Sequence, residues 1–166
     1  MTSQCYCTIM TEKDIDTVLS IEERVFKHPW SREFFHLIAS DMNNCMLTLK
    51  TDAVIIGYGG YHLLKNRTSF LSTRHQYDCM IHLINIAIAP QKQHCGFGTF
   101  LMNTLIRKSL ASKAEYCYLE VRPTNENAFS FYRKWGFSII GIIENYYPQE
   151  CENALVMGME LCLPSA

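Results

Sequence analysis

Residues 86–98 of this 166-residue chain, IAIAPQKQHCGFG, contain its most informative pattern. It begins as an apolar strand, passes Pro90 into a polar loop with two glycines, and continues into a segment of helical apolar spacing that runs from Gly98 to about Ala111. Glycines let successive backbone N–H groups converge, and the start of a helix adds a partial positive charge. This order predicts a site for an anion such as a diphosphate. Two glycines after a strand occur about as often in an ordinary turn that binds nothing.

After position 81 strands and helices alternate, whereas the earlier and the final strands form hairpins. Strands are predicted at about 4–10, 45–50, 53–64, 83–89, 116–121, 137–144 and 154–161, and helices at about 11–28, from Ser31, at 98–111 and at 124–134. Thr11 with Asp14 resembles a capping box, and Thr124 after Pro123 is the expected cap of the last helix. The predicted fold class is α/β, with a mixed (α+β) sheet of about seven strands and about four helices in one domain, residues 1–166.

Composition narrows the function classes. The formal net charge is −1 and 19% of the residues are charged, so no global field would attract nucleic acid or an anionic membrane. The longest apolar stretches are far shorter than the roughly 20 residues of a membrane-spanning helix. The N-terminus has no secretory pattern, and the eight cysteines lack C-x-x-C spacing. We therefore expect a soluble cytoplasmic protein with thiol cysteines and no metal.

Two side chains are candidates for acid–base chemistry. Glu120 interrupts the apolar strand 116–121, and Tyr132 follows twelve positions later on the next helix. A strand followed by a helix can bring both to one end of the sheet. The alternative for Glu120 is an edge carboxylate paired with Arg122 or a nearby lysine, and the alternative for Tyr132 is a buried tyrosine bonded to a backbone carbonyl.

These motifs together resemble a known family over essentially the whole chain. Gln93-x-x-Gly96-x-Gly98, Leu119-Glu120-Val121-Arg122, Asn125, Ala128, Phe131-Tyr132 and Trp135-Gly136-Phe137 are similar to the motifs of the GNAT acetyltransferase superfamily. His28-Pro29-Trp30-Ser31 and Asn145-Tyr146-Tyr147-Pro148 resemble its RimI family of bacterial N-terminal protein acetyltransferases. The resemblance implies the GNAT fold, with acetyl-CoA as co-substrate and no metal.

The resemblance also implies roles for individual residues. Glu120 would be the general base and Tyr132 the general acid. The residues implied for acetyl-CoA are Ile86, Ala87 and Ile88 through their backbone, then Gln93, His94, Cys95, Gly96, Phe97, Gly98, Thr99 and Asn125. The residues implied for the acceptor substrate are Trp30, Asn85, Tyr146 and Tyr147.

In the RimI family the acceptor is the N-terminal alanine of small-subunit ribosomal protein eighteen, and the same function is expected here. A chain N-terminus loses its proton about 2.5 pH units below a lysine, which favours this acceptor by about 3 kcal/mol. The alternatives are a lysine, polyamine or antibiotic acceptor, or a non-catalytic acyl-CoA-binding module. We expect a monomer whose partner is the ribosomal protein, without membrane attachment or direct nucleic-acid binding.

One segment departs from the family pattern. Residues 65–80 replace a short hairpin turn with a locally basic insertion. It is interpreted as a solvated loop or as a contact surface for an acidic or RNA-bearing partner. His94 and Thr99 stand where basic side chains are frequent in relatives, which would lower the affinity for acetyl-CoA.

Overall fold

The computed structural model describes residues 4–68 and 76–161, and of residues 66–68 the backbone alone. These residues form seven strands and four α-helices. In chain order they are β1 (Cys5–Ile9), α1 (Ile15–Val25), α2 (Arg32–Ser40), β2 (Asn44–Thr51), β3 (Val54–Thr68), β4 (Tyr77–Ile88), α3 (Phe97–Ala111), β5 (Tyr116–Val121), α4 (Glu126–Lys134), β6 (Ser138–Tyr147) and β7 (Glu152–Glu160). Short 3₁₀ turns precede α1 at Glu12–Asp14 and α3 at Pro90–Lys92.

The strands form one sheet in the order β1-β2-β3-β4-β5-β7-β6. β4 and β5 are parallel, whereas β1 with β2, β2 with β3, β5 with β7 and β6 with β7 are antiparallel. The mixed sheet of about seven strands with about four helices is therefore confirmed. The registered pairing of β4 with β5 runs from Met80↔Tyr116 to His82↔Tyr118, so the backbone of Ile86–Ile88 lies beyond it.

The chain divides into two compact units. The first contains the residues up to His62 together with Ile84–Ser109, and the second contains Leu63–Leu83 and the chain from Leu110 onward. The single domain spanning residues 1–166 stays a prediction.

The first unit is built on two amphipathic helices. α1 buries Ile15, Val18 and Ile21, and α2 buries Phe35 and Ile38, at the spacing of one helical face. Ser31 caps α2, as predicted, because its hydroxyl accepts the Phe34 N–H at 3.3 Å. These apolar faces form one core cluster with β2, β3 and the end of β4.

Gly57 allows a close approach within the first unit. A Cβ atom at this position would lie 2.7 Å from the carbonyl oxygen of Ala87, closer than real Cβ contacts occur. The Ala89 N–H donates to the Ile56 carbonyl at 2.8 Å on the same stretch of β3. A glycine in β3 therefore fixes the end of β4, the stretch that precedes the glycine loop.

The second unit is centred on β5. Met80, Tyr116, Tyr118 and Val156 form its buried cluster. α4 ends where Gly136 adopts a φ of 96°, a conformation that glycine reaches without strain. β6 is the outermost strand on this side, and its pairing with β7 shifts register between Ile139 and Gly141 and again between Ile143 and Tyr147.

Several predicted boundaries are wrong. The insertion at 65–80 is not all loop, because β3 continues to Thr68 and β4 already begins at Tyr77; residues 69–75 lie outside the described residues. β6 extends to Tyr147, so the connection to β7 is shorter than expected. β3 extends through Lys65 to Thr68 and β6 extends through Glu144 and Asn145, polar residues that the alternation rule reads as loop.

Two helix ends also differ from the prediction. α1 ends at Val25, ahead of His28–Pro29, because Phe26 is already extended with φ −112° and ψ 138°. The cap of α4 is Asn125, whose side chain accepts the Ala128 N–H at 3.1 Å. Thr124 is not the cap, since its hydroxyl donates to Glu152 Oε1 at 2.6 Å. Within the described ranges, no helix is both long and apolar enough to span a bilayer.

Candidate active site

The glycine loop of the first unit presents its backbone. His94 and Gly96 have positive φ angles of 59° and 82°, and α3 begins at Phe97 directly after them. The Phe100 N–H is the first to bond back, donating to the Gly96 carbonyl at 3.0 Å. The N–H groups at the start of α3, among them those of Gly98 and Thr99, therefore have no partner within the helix, which is the usual arrangement at an anion-binding helix start.

The space beside Gly96 is open. A Cβ atom built at Gly96 would meet no atom within 4 Å. The exposed residues from Gln93 to Gly96 leave this side of the loop open. The residues implied for the pyrophosphate of acetyl-CoA therefore form a loop whose backbone a diphosphate can approach.

The side chains of Gln93 and Asn85 form hydrogen bonds with the backbone at the C-terminal end of β4. The Gln93 side-chain N–H donates to the Ile88 carbonyl at 3.0 Å, so this side chain latches the loop to the strand. The Ile86 N–H donates to Asn85 Oδ1 at 2.8 Å. Ala87, between them, is buried. The three residues implied for the pantetheine arm thus have a fixed backbone conformation.

Trp30 lies at the elbow between α1 and α2 in the same unit. Its ring centroid is 4.6 Å from that of Phe34 and 5.7 Å from that of Phe35. Its backbone N–H donates to Glu22 Oε1 at 3.0 Å. Half-buried and held from both sides, Trp30 has a defined place from which to contact a ligand.

Glu120, in the second unit, is hydrogen-bonded to a histidine. His82 Nε2 lies 2.5 Å from Glu120 Oε2, and a carboxylate can only accept, so the imidazole donates. The His82 ring stacks on that of Tyr118 with centroids 4.5 Å apart and an interplanar angle of 4°. The Glu120 side chain is 11% exposed. A carboxylate held in this way can accept a proton from an amine or from a water bound to it.

Tyr132 is buried on α4. Its ring makes edge contacts with Phe131 and Phe137. Burial raises the pKa of Tyr132 well above its usual value, with Cys117 and Tyr147 acting in the same direction, so the phenol stays protonated. No residue in the described ranges forms a hydrogen bond with its hydroxyl. A buried phenol without a protein partner is a proton donor available to a bound molecule.

Two tyrosines of β6 are within range of the charge of Glu120. The rings of Tyr146 and Tyr147 meet edge to face at 4.9 Å. Burial raises the pKa of Tyr146, and the negative charge of Glu120 raises it further. Burial also raises the pKa of Tyr147 to about 12, although Arg122 opposes this shift. Their coupling to Glu120 indicates that the three side chains share one region of the second unit.

The structure thus brings the predicted residues together in two sets, each within one unit. The first set is Trp30, Asn85, Ile86, Ala87, Ile88, Gln93, His94, Cys95, Gly96, Phe97, Gly98 and Thr99, and the second is Glu120, Asn125, Tyr132, Tyr146 and Tyr147. Asn125 differs from the others because its side-chain oxygen already accepts a hydrogen bond as the cap of α4.

Sequence reasoning missed two polar residues. His82 could have been found from strand geometry, because it pairs with Tyr118 and Glu120 lies two positions on, on the same face. Glu22 lies on the buried face of α1, and its carboxyl accepts the Trp30 N–H.

The seven cysteines in the described ranges are free thiols, and Cys162 lies outside those ranges. Cys95 is exposed in the glycine loop. Within residues 4–68 and 76–161, no three His, Cys, Asp or Glu side chains are grouped so as to hold a metal ion.

Comparison with known proteins identifies relatives across most of the chain. Residues 15–137 match the model of the acetyltransferase (GNAT) family. The [ribosomal protein bS18]-alanine N-acetyltransferase of Haemophilus influenzae is 31% identical over 153 residues, which cover 89% of this chain and 93% of that protein.

Solved structures share the fold. The ribosomal-protein-S18-alanine N-acetyltransferase of Escherichia coli superposes with a TM-score of 0.79 at 23% identity, covering 98% of this chain and 97% of that one. Arabidopsis thaliana NAA60 in complex with acetyl-CoA superposes with a TM-score of 0.80 at 13% identity, covering 95% and 99%. At these identities the two structures support the fold alone.

Proposed function

Because the chain belongs to the acetyltransferase (GNAT) family and, within it, to the RimI group, we propose that it acetylates the N-terminal alanine of ribosomal protein bS18. Acetyl-CoA is the co-substrate of this family and supplies an acetyl group activated as a thioester. The observation that carries the proposal is the carboxylate of Glu120, which is oriented by His82 and whose charge acts on Tyr146 and Tyr147.

Glu120 would act as the general base. The attacking amine must be neutral, and a chain N-terminus, with a pKa of about 8, loses its proton more readily than a lysine side chain at about 10.4. The hydrogen bond from His82 occupies Oε2 and leaves Oε1 to accept the proton, directly or through a water. A single oriented carboxylate therefore suits an α-amine.

Tyr132 would supply a proton to the departing sulfur. Its phenol is buried, protonated and without a hydrogen-bond partner in the described ranges, so donation breaks no existing bond. The raised pKa of Tyr132 also makes it a weaker acid than a free tyrosine. Proton transfer therefore needs a nearby group that stabilises the phenolate or a proton taken up from water.

The glycine loop and the end of β4 would hold the co-substrate. Backbone N–H groups of the loop from His94 to Thr99 would receive the pyrophosphate, and Ile86–Ile88 would pair with the pantetheine arm. In this role Gln93 would hold the loop through its hydrogen bond to the Ile88 carbonyl rather than contact phosphate. Asn125 would assist through its side-chain N–H group, since its oxygen caps α4.

Trp30, Asn85, Tyr146 and Tyr147 would bind the acceptor. Aromatic side chains with a polar edge suit the end of a peptide chain, whose apolar alanine methyl group lies next to a charged amine. We place the reaction in the cytoplasm, where the bS18 N-terminus is exposed after methionine removal. The enzyme would act as a monomer without direct contacts to nucleic acid.

Acetylation of defined peptides tests the proposal. The purified chain is incubated with acetyl-CoA and a peptide carrying the bS18 N-terminus that follows the initiator methionine, with thiol release and mass spectrometry as readouts. We expect one acetyl group, located on the α-amine. A matched peptide with a blocked N-terminus and a free lysine should remain unmodified. If only the lysine peptide, a polyamine or an antibiotic is acetylated, that compound class is the acceptor and the bS18 proposal is wrong. If acetyl-CoA binds but no amine is acetylated, the chain is a non-catalytic acyl-CoA-binding module.

A further inference from the structure

Glu22 is a buried carboxyl that the proposed chemistry does not use. It lies on α1, and only 1% of its surface is exposed. The groups that shift its pKa include no Lys, Arg or His. Burial raises the pKa of Glu22 to about 7, against the hydrogen bonds from Trp30 and Asn85, which lower it. Burying an ionisable group without a cation is unfavourable for stability, so an apolar residue would serve a merely structural role better.

Hydrogen bonds from three other elements converge on this carboxyl. Oε1 accepts the Trp30 N–H at 3.0 Å, from the elbow before α2. Oε2 accepts the hydroxyl of Tyr58 on β3, and the side-chain N–H of Asn85 on β4 lies 3.5 Å from the same oxygen. The Asn85 side chain also donates to the Tyr58 hydroxyl at 3.0 Å. We call Glu22, Tyr58, Asn85 and the Trp30 N–H the carboxyl network.

The network links two places where the acceptor and the co-substrate are expected. At one end it holds the backbone of Trp30, whose ring packs against Phe34 and Phe35. At the other end Asn85 Oδ1 accepts the Ile86 N–H at 2.8 Å. All of these residues belong to the first compact unit.

We propose that Glu22 is a positioning residue, which sets the elbow at Trp30 and the side chain of Asn85 for binding of the acceptor peptide. The inference rests on the proposed function, in which Trp30 and Asn85 contact the acceptor. In its ionised form the carboxylate accepts on both oxygens, from the Trp30 N–H at Oε1 and from Tyr58 and Asn85 at Oε2. Glutamine has the same shape but replaces one oxygen with an NH₂ donor, which would face the N–H of Trp30 or the donors on the other side.

Kinetics of Glu22→Gln test the proposal. We expect the KM for the bS18 peptide to rise about tenfold while the KM for acetyl-CoA and kcat change by less than about threefold. Tyr58→Phe, which removes one hydroxyl from the network, should raise the peptide KM by a smaller factor. The matched control is Glu23→Gln, because Glu23 is the neighbouring residue of α1 and is exposed. Its kinetics should equal those of the wild type.

A readout that does not depend on activity comes from tryptophan fluorescence. The chain has two tryptophans, so a Trp135→Phe background leaves Trp30 as the single reporter. We expect Glu22→Gln to increase acrylamide quenching of Trp30 and shift its emission to longer wavelength, with Glu23→Gln unchanged.

Two outcomes would overturn the inference. In the first, the Glu22→Gln variant has the same KM for the peptide and the same Trp30 quenching as the Glu23→Gln control. The other is an equal loss in all kinetic parameters, together with a lowered Tm and unchanged Trp30 quenching below that Tm, which would assign Glu22 to stability alone. If the wild type acetylates no bS18 peptide, the proposed acceptor fails, and Trp30 quenching alone then decides whether Glu22 holds the elbow.

Discussion

The guanidinium carbon of Arg122 lies 3.6 Å from the centre of the Tyr147 ring. The same guanidinium donates to Glu152 at 2.9 Å and to Glu150 at 3.2 Å. Glu152 in turn accepts hydrogen bonds from the N–H and hydroxyl of Thr124. The end of β5 thereby holds the turn between β6 and β7, and the orientation of Tyr147 depends on Arg122.

Replacing Arg122 should loosen this turn. Arg122→Gln loses the cation–π contact and the two ion pairs, and we expect the free energy of unfolding to fall by about 1–2 kcal/mol, since the side chain is partly exposed. Urea denaturation measures the change. Arg133→Gln is the control, because Arg133 is exposed on α4. Equal stability of the two variants would contradict a role for Arg122 in fixing Tyr147.

Removing the carboxylate of Glu120 should affect turnover. Glu120→Gln keeps the size of the side chain but no longer accepts a proton, so we expect kcat to fall about 10²-fold or more while the Kd for acetyl-CoA stays nearly unchanged. Steady-state kinetics and calorimetry measure the two quantities. Glu144→Gln, an exposed change on β6, serves as control. A matching loss of acetyl-CoA affinity would make Glu120 a structural residue.

Tyr132→Phe separates catalysis from stability. The Tyr132 hydroxyl has no hydrogen-bond partner in the described ranges, so its removal should change the free energy of unfolding by less than about 0.5 kcal/mol. Turnover should nevertheless fall about 10²-fold. Thermal melting and kcat are measured on the same preparation. Loss of stability without loss of turnover would contradict the role of proton donor.

Gly96→Val should abolish acetyl-CoA binding. A β-branched residue at a φ of 82° costs about 1–2 kcal/mol, and its side chain would occupy the open space that a phosphate needs. Calorimetry with acetyl-CoA measures the loss. Gly96→Asn separates the two effects, because asparagine tolerates positive φ better while still filling the space. Unchanged binding in both variants would exclude this loop from the acetyl-CoA site.

Glu22 should give the protein a distinctive pH dependence. Its pKa is about 7 when folded, above the ordinary value of 4.5, so the folded state binds more protons than the unfolded state between these values. This contribution to stability is fully present below about pH 4.5 and is lost as the pH rises to about 7, by at most about 3 kcal/mol.

Urea denaturation at pH 5 and pH 8 measures this effect. Glu22→Gln should remove the part of the pH dependence that Glu22 contributes, whereas Glu23→Gln should keep the wild-type dependence. A Glu22→Gln variant with the full wild-type dependence would show that Glu22 does not titrate in this range.

The regular elements follow from local patterns. Strand β5 and the start and end of α3 were predicted to within one residue, because the apolar run of β5 and the helical spacing of α3 agree with burial. The cap of α4 was misplaced by one position. Thr124 and Asn125 are both good cap residues, and the choice depends on Glu152, a residue distant in sequence that binds the Thr124 hydroxyl. Local sequence carries no information about that partner.

Some residues of the candidate site could be predicted from the sequence, and others could not. Glu120 stands out because a carboxylate in an apolar strand is unusual, and His82 follows from strand register. Glu22 gave no such signal, since a glutamate on an amphipathic helix is ordinary until its burial is known. The end of β3 was missed because the strand continues through the polar residues 65–68, and the start of β4 was missed although it contains the buried Met80 and Ile81.

The irregular pairing of β6 bears on how separate molecules meet. As the outermost strand it exposes Ile139 and Ile142, and a flat strand of this kind would offer a template for edge-to-edge aggregation. The two register shifts bend and twist the strand, and Glu144 adds a charge near its end. These features disfavour edge-to-edge strand pairing between copies of this protein at high concentration.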